Sequence, residues 1–276
     1  MSELGTISAV VSSGDRIVGQ PVVKERLSID LDFSRISRNA TSTTHPHVLF
    51  SPMHYEPGYA YPLFVWLHGS GANEQQIMRL MPLLSIRNYV AVAPQGIDVS
   101  GPGNTKDNVS WSSSIDVMEI INNGIRSRAW YDWPQSEEAI RDAERRVFDC
   151  ISAARQKINI AENRIFLAGF GNGGTMALRL GLLNPESFAG VISIGGAFPM
   201  GNLPFRQWNT ARDLPILLAV GEESTDFPPA VACETLELFH AAGLPIAVRE
   251  YPCGQEIAPA MLQDVNRWIM ELVCGG

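Results

Sequence analysis

The stretch Arg164-Ile-Phe-Leu-Ala-Gly-Phe-Gly-Asn-Gly-Gly-Thr-Met-Ala-Leu-Arg179 decides the fold. Its apolar start, Ile165 to Ala168, has the length and continuity of a strand buried on both faces. Gly169, Gly171, Gly173 and Gly174 then permit a tight turn, and the residues from Thr175 onward continue as a helix. Four more short apolar runs surround it: Leu63-Phe-Val-Trp-Leu67, Tyr89-Val-Ala-Val-Ala93, Gly190-Val-Ile-Ser-Ile194 and Ile216-Leu-Leu-Ala-Val220.

Helical spacing fills the intervals. Ile140, Ala143, Val147, Ile151, Ala154 and Ile158 step by three or four, with Arg141, Glu144 and Arg145 on the opposite face. Pro229 to Ala242 reads as a second helix, and Met261, Val265, Trp268 and Leu272 mark a third. Buried strands alternating with amphipathic helices imply an α/β fold: a mostly parallel central sheet with helices on both faces, because parallel neighbours need crossover connections. The strict alternation of Arg26 to Phe33 predicts an antiparallel edge strand, paired in a hairpin with His47 to Met53. Residues 1–20 are expected to form a flexible segment and residues 21–276 a single domain. The long irregular stretch from Ile97 to Pro134 carries Trp111, Trp130, Tyr131 and Trp133, and loops of that length commonly cover a site.

Composition bounds the partners. The chain of 276 residues is 45% hydrophobic and 18% charged, a balance that supports a folded core and excludes a disordered tail protein. Its 21 Lys and Arg against 29 Asp and Glu give a net charge of −8, which repels nucleic acid and anionic lipid. Cys150, Cys233, Cys253 and Cys274 are scattered and the histidines are not clustered, so neither a disulfide framework nor a metal site is indicated. Met1 to Gln20 lacks a basic-then-apolar leader, and with reduced thiols this points to a cytoplasmic location. The longest uncharged stretch, Ser187 to Phe205, is broken by Gly195, Gly196, Pro199, Gly201 and Pro204 and cannot form a membrane-spanning helix.

The glycine turn admits two chemistries. Gly169, Gly171 and Gly174 satisfy G-x-G-x-x-G, but a dinucleotide site also needs an acidic residue closing the following strand, which here ends at Gly195-Gly196. No cofactor is implied on that ground. The second reading is the nucleophile elbow, G-x-S-x-G after a buried strand. Gly169-Phe170-Gly171-Asn172-Gly173-Gly174 resembles the Gly-Phe-Ser-x-Gly-Gly of the phospholipase/carboxylesterase branch of the α/β hydrolases, which includes the acyl-protein thioesterases, with glycine in the serine's place. Leu67-His68-Gly69-Ser70-Gly71 resembles that branch's oxyanion loop, Ala93-Pro94-Gln95 its strand-end Ala-Pro, and Ala129-Trp130-Tyr131-Asp132 its Trp-Phe-Asp loop. Phe188 to Ile192 and Gly195 to Pro199 match the strand after the elbow, so the likeness runs from about Val22 to Leu272.

The resemblance implies acyl transfer through an activated hydroxyl, a base and an orienting carboxylate. Each position it assigns is altered. Gly171 has no side chain, Ser224 occupies the acid position of Gly221-Glu222-Glu223-Ser224, and Gln255 occupies the base position of Pro252-Cys253-Gly254-Gln255-Glu256. Glutamine exchanges no proton at neutral pH. Asp226, Glu222 or Glu223 could act as surrogate acid, whereas His240, the only histidine beyond the elbow, reads as a helix C-terminal residue. Cys253 is an alternative nucleophile, disfavoured by Glu250 and Glu256, which would raise its pKa. The expectation is therefore a degenerate triad at Gly171, Ser224 and Gln255, with no catalytic residue among them. A pocket of His68, Gly69, Ser70, Trp130, Tyr131 and Asn172 would bind a small acyl-like ligand or a protein partner. A hydrolase with relocated catalytic groups is the rival expectation, and oligomeric state is not encoded in any motif.

Overall fold

The computed structural model describes residues 45–100, 130–199, 208–241 and 243–275. In chain order these form β1 (His47–Phe50), β2 (Tyr61–Leu67), α1 (Ile77–Leu84), β3 (Val90–Pro94), β4 (Ile97–Asp98), β5 (Tyr131–Asp132), α2 (Glu137–Arg155) and β6 (Ile160–Phe170). They continue with α3 (Asn172–Leu183), β7 (Gly190–Ile194), α4 (Trp208–Ala211), β8 (Ile216–Gly221), α5 (Pro229–Ala241), β9 (Ile246–Tyr251) and α6 (Pro259–Cys274).

Seven strands make one sheet in the order β1-β3-β2-β6-β7-β8-β9, parallel throughout except for β1. The antiparallel strand is therefore β1, and the hairpin expected between Arg26 to Phe33 and His47 to Met53 has its first strand outside the described residues. Within the described residues β1 pairs with β3, His47 opposite Pro94 and Phe50 opposite Ala91. The strand expected at Arg26 to Phe33, the segment 1–20 and Trp111 lie outside the described residues. Residues Ile97 to Pro134 are not irregular throughout, since β4 and β5 pair across the loop.

The alternation of side chains along buried strands divides the core in two. Leu63, Val65 and Leu67 of β2 and Ile165 and Leu167 of β6 join one cluster with Ala143, Val147 and Ile151 of α2 and Met176 and Leu180 of α3. Phe64 and Trp66 of β2 and Phe166 and Ala168 of β6 point the other way, against Leu80 and Met81 of α1 and Val265 and Ile269 of α6. Helix α2 starts where expected of its sequence. Ser136 accepts a hydrogen bond from the Ala139 amide at 3.3 Å, and Glu137 and Glu138 sit in the first turn while Arg155 sits in the last.

Chain direction places a site at one end of this sheet. From β2 the order runs outward through β3 on one side and begins again with β6 on the other, so the carboxyl ends of β2 and β6 flank the switch in topology. Clefts in open α/β sheets form there. Leu67 and Gly169 are register partners, which brings the loop after β2 against the turn after β6. Among the described residues no helix is long and apolar enough to cross a membrane.

Candidate functional site

At the turn, Gly171 takes φ 54° and ψ −123°, a backbone conformation that L side chains rarely adopt. Its amide donates to the Ile194 carbonyl at 2.9 Å and its carbonyl accepts from Thr175 at 3.0 Å, so strand β7 and helix α3 both hold it. A Cβ on Gly171 would meet no described atom closer than Gln255 Nε2 at 3.9 Å. Gly173, two residues on, differs: a Cβ there would lie 2.3 Å from the Leu67 carbonyl oxygen and 2.4 Å from that of His68. Packing forces glycine at position 173. At position 171 it leaves space directed at Gln255.

Gln255 and Ser224 complete that line. The Ser224 hydroxyl donates to Gln255 Oε1 at 2.5 Å, and Gln255 Nε2 donates to the Gly195 carbonyl at 2.7 Å. Because a carbonyl only accepts, Gly195 fixes which end of the amide is nitrogen. Ser224 Oγ in turn accepts from the Phe227 amide at 3.2 Å. The loops carrying the two residues are tied to each other, the Glu223 amide donating to the Cys253 carbonyl at 3.0 Å. The structure thus brings together Gly171, Gln255 and Ser224, from the loops after β6, β9 and β8. Asp226 is not among them: it is exposed, and its hydrogen bond is to the neighbouring Thr225 hydroxyl at 3.4 Å.

The loop after β2 is built around His68. The ring is fully buried; Nδ1 donates to the Gly69 carbonyl at 2.8 Å and Nε2 accepts from the Gly96 amide at 2.9 Å. Both nitrogens are occupied, and burial pulls the pKa down from 6.5 to about 4, so the imidazole is neutral at physiological pH and works as a backbone strut. Trp133 Nε1 donates to the His68 carbonyl at 3.0 Å, and the Gly69 amide reaches Gln76 Oε1 at 3.4 Å. The Gly71 amide donates to the Tyr131 carbonyl at 2.8 Å, fastening this loop to β5.

Asp132 closes the frame. Its carboxylate accepts from the Ser70 hydroxyl at 2.9 Å, from the Trp133 amide at 2.8 Å and from Asn172 Nδ2 at 3.1 Å on each oxygen. One side chain therefore joins the loop after β2 to the first residue of α3. Of the expected pocket residues, His68, Gly69, Ser70 and Asn172 gather here, with Ser70 and Asn172 exposed. Tyr131 and Trp130 are half-buried and joined to the frame through their backbones, the Trp130 amide donating to Ser100 Oγ at 2.7 Å. Among the described residues, the Ser70 and Asn172 amides have no hydrogen-bond acceptor. A groove of about 260 Å³ lined by Tyr59, Tyr61, Arg87 and Met270 lies at the start of β2, the opposite end of the sheet, and does not join this site.

The sequence marks Asp132 only as the last residue of the aromatic-loop motif, without its bridging role, and does not mark Gly96 or Gln76. For Asp132 membership of the aromatic-loop motif is the available signal, and for Gly96 its place directly after Gln95. Nothing local marked Gln76, whose bonds to Trp66 Nε1 at 2.8 Å and to Gly69 depend on the tertiary fold. Cys253 is buried, and its thiol pKa is raised by desolvation and by Glu256, Glu223 and Glu222, which keeps it protonated. The acidic influence foreseen from Glu250 and Glu256 comes from Glu256 together with the two glutamates after β8. His240 sits in the last turn of α5 and is exposed. Among the described residues, no three His, Cys, Asp or Glu side chains gather into a metal-binding set.

Comparison with known proteins agrees with this geometry. Residues 59–273 match the phospholipase/carboxylesterase family model. An acyl-protein thioesterase 1 from Schizosaccharomyces pombe is 27% identical over 154 residues, covering 50% of this chain and 69% of the relative. The Arabidopsis thaliana carboxylesterase SOBER1 is 24% identical over 203 residues, covering 65% and 89%. Among solved structures, a carboxylesterase from Mesorhizobium loti superimposes with a TM-score of 0.61 at 17% identity, covering 85% of this chain and 98% of its own, a likeness of fold.

Proposed function

The chain belongs to the phospholipase/carboxylesterase family, and from that premise we propose that it is a non-hydrolytic member, which binds a small acyl-like ligand or a protein partner between the loop after β2 and the elbow. One observation carries the reading: Gly171, Gln255 and Ser224 lie in the line a nucleophile, base and acid would take, yet Gly171 has no side chain to attack with and neither Gln255 nor Ser224 exchanges a proton at neutral pH. Removing the serine of such a triad lowers turnover by about 10⁶, leaving only about 10³ to 10⁴ over water from positioning and oxyanion donors. Replacement of base and nucleophile together leaves no efficient serine chemistry.

Substitutes are poorly placed. The Cys253 thiol is kept protonated by burial and three glutamates, His68 has both nitrogens engaged, and Asp226 is turned to solvent. What persists is the part that recognises a carbonyl: the exposed Ser70 and Asn172 beside an open space at Gly171. Turnover of p-nitrophenyl acetate tests the proposal. The expected rate equals that of the denatured protein; saturable turnover abolished by a single site substitution overturns it, and its loss on thiol alkylation would point to Cys253.

A further inference from the structure

We propose that Gln255 is a specificity-determining residue that reverses the hydrogen-bonding polarity of the cleft, selecting uncharged carbonyl compounds and rejecting carboxylates. The proposal rests on the ligand-binding reading above and deepens it. A neutral histidine at this position would offer a lone pair to a hydroxyl on residue 171. Gln255 does not, because Oε1 is turned to the Ser224 hydroxyl, from which it accepts at 2.5 Å, while Nε2 is the atom that faces residue 171. Its Nε2 gives one hydrogen to the Gly195 carbonyl at 2.7 Å. The second hydrogen has no acceptor among the described residues, and it is borne by the atom nearest the place a side chain of residue 171 would fill, 3.9 Å from that point. The space beside Gly171 is therefore met by a donor where the family's chemistry requires an acceptor.

A donor invites either a neutral carbonyl or an anion, and charge separates the two. Asp132 already places a full negative charge on Asn172 at the start of α3, opposing the roughly half positive charge of a helix N-terminus. Glu222, Glu223 and Glu256 border the loops that carry Ser224 and Gln255, close enough to raise the Cys253 thiol. A free carboxylate would enter a field set by four carboxylates, whereas an ester or amide carbonyl accepts the same hydrogen bonds without a charge.

The test is an NMR titration of the full chain with methyl hexanoate and, separately, with hexanoate at neutral pH. The ester is expected to bind at least about tenfold more tightly than the acid. Gln255→Glu, which replaces the donor by a charged acceptor, is expected to weaken ester binding by at least about tenfold. Gln255→Ala, which removes the donor without adding charge, is expected to weaken it about fivefold and covers the case in which the glutamate variant fails to fold. Equal binding of ester and acid, tighter binding of the acid, or unchanged ester affinity in Gln255→Ala overturns the role of Gln255 while leaving the binding reading intact. Failure of both probes to bind overturns the binding reading and the proposal with it.

Discussion

Two halves of the cleft have been treated differently. The half after β2 is a dense set of bonds among His68, Gly69, Gly96, Trp133, Asp132 and Asn172, in which side chains hold backbone in place. The half after β6, β8 and β9 holds Gly171, Ser224 and Gln255, whose bonds are fewer and whose side chains are neutral. Strand register and two layers of core position both halves, so the second keeps its geometry whatever residues stand at its tips. The difference between a position where packing compels glycine and one where it does not becomes measurable at neighbouring residues.

The sharpest contrast lies within one turn of chain. Gly173→Ala drives a methyl into two carbonyl oxygens of the first half, and a loss of about 3 kcal/mol or more in denaturant unfolding is expected. A cost near zero would mean that the two halves are not tightly joined. Next comes His68, whose folded pKa is depressed to about 4 from 6.5. The unfolded chain binds a proton in that window and the folded one does not, so stability is full above about pH 6.5 and falls as pH drops toward 4, by an amount on the order of 3 kcal/mol. His68→Ala should flatten that slope in a pH series of melting curves, while costing about 2 kcal/mol through the orphaned Gly96 amide.

Smaller effects belong to the second half. Gly171→Ala meets open space and suffers only its positive φ, so a loss of about 1 to 2 kcal/mol is expected, well below that of Gly173→Ala. Equal losses at the two glycines would erase the distinction drawn between them. Ser224→Ala removes one donor and one acceptor, with an expected cost of about 1 kcal/mol by thermal unfolding. A much larger cost would place Ser224 with the structural half.

The sheet was legible because buried parallel strands announce themselves as short apolar runs, and β2, β7 and β8 fall on the runs at Leu63, Gly190 and Ile216. Strand β6 begins at Ile160, well before Ile165, because Ile160 pairs with Tyr61 of β2; the polar Glu162, Asn163 and Arg164 lie where the register shifts before Leu63 meets Ile165, and their composition does not suggest a strand. The pairing of β1 with β3 was hidden because the neighbour a strand joins is a tertiary choice, absent from its own residues. At the site, the likeness to the family's motifs singled out Gly171, Ser224 and Gln255. The bridging of Asp132 to both Ser70 and Asn172 was not readable, since those partners are 62 and 40 residues away and meet only through strand register.

The most direct measurement is covalent labelling by a fluorophosphonate serine probe, applied to the wild type and to the triple variant Gly171→Ser, Ser224→Asp, Gln255→His. The wild type is expected to remain unlabelled, and the folded triple variant to acquire one adduct on residue 171. Stoichiometric labelling of the wild type at any residue lining the cleft, or a folded triple variant that the probe leaves untouched, would contradict a hydrolase frame kept intact without its reacting groups.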